Sequence, residues 1–176
     1  MHRSNEQQIT NRLAVVHKVL VLCTGNSARS ILAEVLINEL GEGRFQAFSA
    51  GSHPAGQVNP GALQILKAGG HDVDGVSSKS WDLFAAADAP EIDIVITVCD
   101  NAAGESCPLW HGSPITVHWG IADPAGIDNA EESRKAFELA YRRLKQRVVA
   151  MLELSLQGQS PAQIQAALER IHDECI

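Results

Sequence analysis

The sequence has few aromatic residues and few cysteines, and both shortages narrow the kinds of protein it can encode. Only 5% of its 176 residues are aromatic although 45% are hydrophobic, so aliphatic side chains must fill the core. The 4 cysteines are too few for a disulfide-built scaffold. In a reducing compartment such cysteines are more often buried, metal-bound or catalytic. We therefore expect a single domain, spanning 1–176, with an aliphatic core.

Positive charge and long apolar runs are also scarce. The 14 Lys and Arg residues stand against 21 Asp and Glu, and the formal net charge of -7 argues against nucleic acid or an anionic membrane as the main partner. The longest apolar run near the N-terminus, 13–22, is interrupted by His17 and Lys18. It is too short to span a bilayer or to serve as a signal sequence. We expect a cytoplasmic protein that holds any anion in a local site.

Strand-like and helix-like segments alternate along the chain. Apolar runs predict strands at 18–22, 45–48, 92–98 and 114–117, and helical patterns cover 30–40, 60–68, 80–84 and 130–156. A capping box at 160–163 predicts a last helix that ends near His172. The alternation predicts an α/β fold with three layers, αβα, around a central four-stranded parallel sheet, plus an extra C-terminal helix. We expect 1–16 to form an N-terminal extension and 157–176 a C-terminal helical extension.

The turn CTGNSARS at 23–30 is the stretch that most directly indicates chemistry. Cys23 ends a predicted strand, and a helix starts at Ser30, so backbone N–H groups and the positive end of the helix converge on one point. Arg29 can add a two-pronged guanidinium to a tetrahedral oxyanion such as phosphate or arsenate. The same positive field favours a thiolate, so we expect a lowered pKa and a nucleophilic sulfur at Cys23. The alternative is a buried strand-end cysteine beside a solvated arginine. The predicted oxyanion cradle consists of Cys23, Thr24, Gly25, Asn26, Ser27, Ala28 and Arg29.

Three motifs together resemble one known family. CTGNSARS at 23–30, FSAG at 48–51 and HWGIADPAG at 118–126 resemble the thioredoxin-linked arsenate reductases built on the low-molecular-weight protein tyrosine phosphatase fold. The resemblance covers the chain from about Lys18 to Ala150 and implies a role in arsenic detoxification. It implies that the site residues are the nucleophile Cys23, the oxyanion clamp Arg29, the thiolate stabiliser Ser30, the general acid Asp123 and the loop-bracing Asn26. It also suggests a structural potassium ion near Asn26, Ser49 and Asp82.

Two further cysteines bear on whether the reaction is hydrolysis or reduction. Reduction of arsenate to arsenite needs two electrons, which a second thiol supplies when it attacks Cys23 and leaves a disulfide, whereas hydrolysis needs only water. Cys99 follows a buried strand, at the sheet edge where the Cys23 turn also lies, so we expect it to reach Cys23. Cys107 follows on what we predict to be a mobile loop and can carry the disulfide outward. This arrangement matches the three-cysteine relay of the thioredoxin-linked reductases.

Three alternatives stay open for the sequence alone. The chain could be a protein tyrosine phosphatase, although Ala125 and Gly126 stand where such phosphatases carry an aromatic residue. It could be a non-catalytic, oxyanion-binding redox sensor, which would have no use for the general acid Asp123. A zinc site is a weaker interpretation, because the spacing of its candidate ligands fits none of the usual patterns. Those candidates are Cys99, Cys107, His111 and His118.

The expected partners follow from the arsenate reductase interpretation. Arsenate is the expected substrate, and phosphate or sulfate should compete for its site. Electrons are expected from thioredoxin, or from glutathione with glutaredoxin, and no organic cofactor, nucleic acid or membrane is expected to bind. We expect Trp119 to pack against the segment that carries Asp123, and we assign no role to Cys175.

Overall fold

A four-stranded parallel sheet forms the centre of the part of the chain that the structure describes. The computed structural model describes 15–106 and 108–175, so most of the predicted N-terminal extension and Cys107 lie outside the described residues. The strands are β1 (His17–Cys23), β2 (Phe45–Gly51), β3 (Ile94–Thr97) and β4 (Ile115–His118), in the order β2-β1-β3-β4. Each neighbouring pair is parallel, as predicted.

Helices connect the strands and cover the sheet. Within the described ranges they are α1 (Arg29–Leu40), α2 (Pro60–Ala68), α3 (Asp100–Gly104), α4 (Ala130–Leu152) and α5 (Pro161–Glu174), with a 3-10 helix at Trp81–Phe84. Helix α1 packs on β1, β2 and α4, and α5 packs on β4 and α4. The predicted α/β fold with its extra C-terminal helix is confirmed. None of the helices in 15–106 and 108–175 is long and apolar enough to cross a membrane.

The sheet has an apolar cluster on each of its faces. Val19 and Val21 of β1 belong to the larger cluster, together with residues of α1 and α4, while Leu20 and Leu22 belong to a smaller cluster with Phe84 of the 3-10 helix. This division follows from the alternation of side chains along a strand. Both faces of β1 are therefore buried, as its unbroken apolar run predicts. The turn that follows β1 starts from a strand whose last five residues are all buried.

Most element boundaries agree with the sequence-based expectation within a few residues. Strand β2 continues to Gly51 instead of ending near Phe48, and α4 ends at Leu152, earlier than expected. Helix α5 begins with the predicted capping box, in which the Ser160 and Gln163 side chains each bond to the other residue's backbone N–H.

The segment after β3 differs from the mobile loop that we predict between Cys99 and Cys107. Its first part forms α3, and Cys99 caps this helix because its sulfur accepts the backbone N–H of Ala102 at 3.4 Å. Cysteine is not one of the usual N-cap residues, so the sequence contains no start signal for this helix. The prediction of a mobile loop is wrong for 100–104, which are helical.

Candidate active site

The turn between β1 and α1 is braced by a buried asparagine. Asn26 has a positive φ of 45°, a backbone conformation that asparagine tolerates better than most residues. Its Nδ2 donates to Oγ of Ser30 at 2.8 Å, and its Oδ1 accepts the backbone N–H of Lys79 at 2.9 Å. Because Asn26 is completely buried, these bonds are shielded from water and hold the turn in one shape.

The carbonyl groups of the turn point away from its centre. The segment at 53–59 donates N–H groups to them, with N···O distances of 2.9 Å to Thr24, 2.9 Å to Gly25 and 2.8 Å to Ser27. In a planar trans peptide the C=O and the following N–H point in opposite directions. The N–H groups that follow these carbonyls are therefore directed to the inside of the turn, where they can hold an anion.

The glycine of the FSAG motif lets β2 approach this turn closely. A Cβ atom on Gly51 would lie 2.4 Å from the carbonyl oxygen of Thr24 and 3.0 Å from the backbone nitrogen of Asn26. Any side chain at this position would push the turn out of place. The motif therefore maintains the shape of the cradle and takes no direct part in the chemistry.

Arg29 and Asp123 meet beside the turn. Nη2 of Arg29 lies 3.3 Å from Oδ2 of Asp123, and Nη1 donates to the carbonyl oxygen of Ile121 at 2.9 Å. The Nε of Arg29 is buried and has no hydrogen-bond partner within the described residues. A buried donor without a partner costs about 1–3 kcal/mol, so the arginine retains unused capacity to bind an oxyanion.

Cys23 and Cys99 follow neighbouring residues of the sheet, because the backbone N–H of Val98 donates to the carbonyl oxygen of Leu22 at 3.0 Å, and each thiol is the largest influence on the pKa of the other. Both residues are almost completely buried, with 6% of Cys23 and 4% of Cys99 exposed. The sulfur of Cys99 also accepts the N–H of Ala102 and lies 3.6 Å from the hydroxyl of Thr24. The structure thus brings the candidate nucleophile and the candidate resolving thiol together at the oxyanion cradle.

The two thiols shift each other's pKa in opposite directions. The hydrogen bond to Cys99 and then burial raise the pKa of Cys23, although Arg29 opposes the rise. The same hydrogen bond, with further help from Ala102 and Thr24, lowers the pKa of Cys99 to about 5. The lowered pKa that we predict for Cys23 is therefore wrong for this arrangement, because a second thiol competes for the same proton.

This assignment predicts how each thiol reacts with iodoacetamide. With a pKa of about 5, Cys99 is ionised at pH 7, so its alkylation rate should be flat from pH 6 to 8 and fall below pH 5. In Cys23→Ala the midpoint should move to higher pH, because the hydrogen bond from Cys23, the largest cause of the lowered pKa of Cys99, is removed. Added phosphate should slow alkylation of Cys23. Peptide mapping by mass spectrometry measures each rate, and an unchanged midpoint in Cys23→Ala would contradict the coupling of the two thiols.

Glu105 is a neighbour of the site that the sequence did not single out. Its Oε1 accepts the hydroxyl hydrogen of Thr24 at 3.3 Å. A threonine has one hydroxyl hydrogen to donate, so Glu105 and the Cys99 sulfur compete for it. The segment that contains Glu105 is rich in small polar residues, and no motif in it indicates that this glutamate lies near the site.

The residues that we expect near a potassium ion have other partners in the structure. Asn26 bonds to Lys79, and the buried hydroxyl of Ser49 donates to Glu34. Burial raises the pKa of Glu34, while the Ser49 hydroxyl and the charge of Lys79 oppose the rise, so this lysine already supplies a cation here. Asp82 is exposed on the 3-10 helix. These residues do not form a set of free oxygen ligands, and we derive no role for potassium from them.

The zinc interpretation gains no support from the described residues. Within 15–106 and 108–175, no group of three or more His, Cys, Asp or Glu side chains is arranged to hold a metal ion. Nε2 of His118 bonds to Oδ1 of Asp100 at 2.9 Å, and Nε2 of His111 lies 2.9 Å from the carbonyl oxygen of Ala86. The two histidines thus have separate partners.

Several known proteins are similar to this chain in sequence or in fold. The family model for low molecular weight phosphotyrosine protein phosphatase matches residues 18–167. The arsenate reductase of Staphylococcus aureus (strain N315) is 36% identical over 132 residues, which are 73% of this chain and 96% of that protein. The arsenate reductase of Bacillus subtilis (strain 168) is 34% identical over 119 residues, or 68% of this chain and 82% of that protein. A solved structure of an arsenate reductase in the phosphate binding state has a TM-score of 0.59 and 29% identity, and the match covers 76% of this chain and 97% of that chain.

Proposed function

The chain belongs to the low molecular weight phosphotyrosine protein phosphatase family, among its arsenate reductases, and from this premise we propose that it reduces arsenate to arsenite by a thiol relay that begins at Cys23. The proposal is supported most directly by the position of Cys99, whose sulfur lies 3.6 Å from the hydroxyl of Thr24, the residue after Cys23, and whose thiol is the largest influence on the pKa of Cys23. Hydrolysis has no use for a second thiol at this place, whereas a two-electron reduction requires one.

The first step joins sulfur to arsenic. Cys23 gives its proton to an oxygen of the bound arsenate, and the resulting thiolate attacks the arsenic atom while Asp123 protonates the departing oxygen, which leaves as water. Arg29 and the N–H groups of the turn hold the remaining oxygens and their negative charge. An S–As bond forms and an As–O bond breaks, and arsenic remains As(V).

The second step moves two electrons to arsenic. Cys99, as a thiolate, attacks the sulfur of Cys23, so that a disulfide replaces the S–As bond and the electron pair of that bond stays on arsenic. Arsenic leaves as As(III), in arsenite. The lowered pKa of Cys99 favours the thiolate that this attack requires.

The third step regenerates the nucleophile. Cys107 attacks the Cys99 sulfur of the disulfide and releases the Cys23 thiolate. A dithiol partner then reduces the disulfide between Cys99 and Cys107. This partner is thioredoxin, or glutaredoxin that glutathione keeps reduced. A reducing cytoplasm would supply either reductant.

Disulfide mapping and an activity assay test this function. Exposure of the native protein to arsenate without a reductant should yield one arsenite per enzyme and a disulfide between Cys99 and Cys107. Addition of thioredoxin with its reductase and NADPH, or separately of glutathione with glutaredoxin, should then allow repeated turnover and identify the reductant. A disulfide that stays between Cys23 and Cys99 would remove Cys107 from the relay. Fast phosphotyrosine hydrolysis without any arsenite would make the chain a phosphatase.

A further inference from the structure

The C-terminal helix α5 is attached to the segment that carries Asp123. We call 119–126, which follows β4, the acid loop. Its first residue, Trp119, is completely buried, and its Nε1 donates to the carbonyl oxygen of Leu168 on α5 at 2.9 Å. The expected packing role of Trp119 therefore includes a hydrogen bond to a helix outside the three motifs.

Arg147 of α4 makes a second attachment between α5 and the acid loop. Its Nη1 donates to the carbonyl oxygens of Trp119 at 2.9 Å and Gly120 at 3.1 Å. Its Nε donates to the carbonyl oxygen of Cys175, the C-cap residue of α5, at 3.3 Å. One guanidinium group thus joins the start of the acid loop to the end of the last helix.

The position of Arg147 is one where an apolar residue would be expected. It lies on the face of α4 that also carries Leu144 and Met151, both completely buried, and only 4% of Arg147 itself is exposed. Burial of a guanidinium costs free energy, because the charge leaves water. An aliphatic side chain would fill this place without that cost, so the carbonyl contacts are what an arginine adds here.

The contacts of Arg147 continue along the acid loop to the catalytic groups. The N–H groups of Trp119 and Ile121 bond to the carbonyl oxygens of Thr97 and Val98, which fixes one edge of the loop. On the other edge, Arg147 holds the Trp119 and Gly120 carbonyls, and the Ile121 carbonyl accepts from Arg29. Asp123 follows and is half-exposed, so its position depends on the residues that precede it.

We propose that Arg147 is a positioning residue for Asp123, and that α5 completes the fixation of the acid loop through Arg147 and Trp119. The inference rests on the proposed function, in which Asp123 protonates the leaving oxygen. A displacement of a catalytic group by about 1 Å can lower a rate by about 100-fold. Without Arg147, the loop keeps its bonds to Thr97, Val98 and Arg29 but loses those at the carbonyls of Trp119 and Gly120.

Rapid-quench kinetics on the full-length protein provide the first test. The single-turnover rate of disulfide formation with arsenate should fall about 10-fold to 100-fold in Arg147→Met. Arg147→Lys should recover part of the rate, because an ammonium group can still donate to both carbonyls. Met151→Ala is the matched control, one helical turn further along the same buried face of α4. Its rate should stay within about twofold of native even where its melting temperature falls as much as that of Arg147→Met.

A double-mutant cycle separates positioning from general damage to the fold. In an Asp123→Asn background, Arg147→Met should lower the rate by less than about threefold, because the group that Arg147 positions no longer donates a proton. If Arg147→Met lowers the rate by the same factor in both backgrounds, Arg147 does not act through Asp123 and the inference is overturned.

Hydrogen exchange of the acid loop tests the inference without any turnover. Arg147→Met should speed exchange of the N–H groups of 119–126 by about 10-fold, whereas Met151→Ala should leave them nearly unchanged. Equal exchange in both variants would overturn the positioning role. If the native protein releases no arsenite, the proposed function fails, and the exchange experiment still decides whether Arg147 holds the loop.

Discussion

Replacement of Cys99 by serine should abolish the release of arsenite. A serine hydroxyl cannot form the disulfide whose formation delivers two electrons to arsenic, so the reaction should stop with arsenic bound to Cys23. Weak hydrolysis of an aryl phosphate should persist, because it needs only Cys23, Arg29 and Asp123. The two activities should therefore separate in one variant. The measurements are arsenite release with thioredoxin as reductant and hydrolysis of p-nitrophenyl phosphate.

The same variant should change the acidity of the remaining thiol. The hydrogen bond to Cys99 is the largest cause that raises the pKa of Cys23, and its removal leaves burial opposed by Arg29. Alkylation of Cys23 at neutral pH should therefore be faster in Cys99→Ser than in the native protein. Cys175→Ser is the matched control, since Cys175 is a free cysteine at the far end of α5. Full arsenate turnover by Cys99→Ser would refute the three-cysteine relay.

The elements that carry a local sequence pattern were predictable from the sequence. The apolar run of β1, the proline and glycines around α2 and the capping box of α5 each correspond to a local physical preference, and each element is present. The strand, turn and helix of the predicted oxyanion cradle were predictable for the same reason. They follow one another along the chain, so their arrangement depends on neighbours in sequence.

The features that the sequence did not indicate depend on residues far apart in the chain. The pKa shifts of the thiol pair arise because Cys99, from the end of β3, competes with Cys23 for a proton. Helix α3 is short and is capped by a cysteine, so neither periodicity nor capping chemistry marks it. Arg147 carries a weak signal, as a charge on an otherwise apolar face, but its carbonyl partners come from distant segments.

The second large effect is expected from Asp123→Asn. An amide keeps the size of the carboxyl group but cannot donate an acidic proton, so the oxygen would have to leave as hydroxide instead of water. The single-turnover rate of disulfide formation with arsenate should fall by roughly 10²–10⁴-fold. Phosphate should still protect Cys23 from alkylation, because the turn and Arg29 hold the oxyanion. Rapid-quench kinetics measure the rate, and the protection assay measures oxyanion binding.

A matched control distinguishes the loss of a proton donor from the loss of a negative charge. Asp128→Asn removes the same negative charge from an exposed residue shortly after the acid loop, and its rate should stay within about twofold of native. Asp123 lies 3.3 Å from Arg29, so its neutralisation also frees this arginine to bind the oxyanion more tightly. Phosphate protection that is equal or stronger in Asp123→Asn, together with the slow rate, would assign Asp123 to proton transfer. An unchanged rate would leave the leaving oxygen without a protein acid, and solvent would then have to supply the proton.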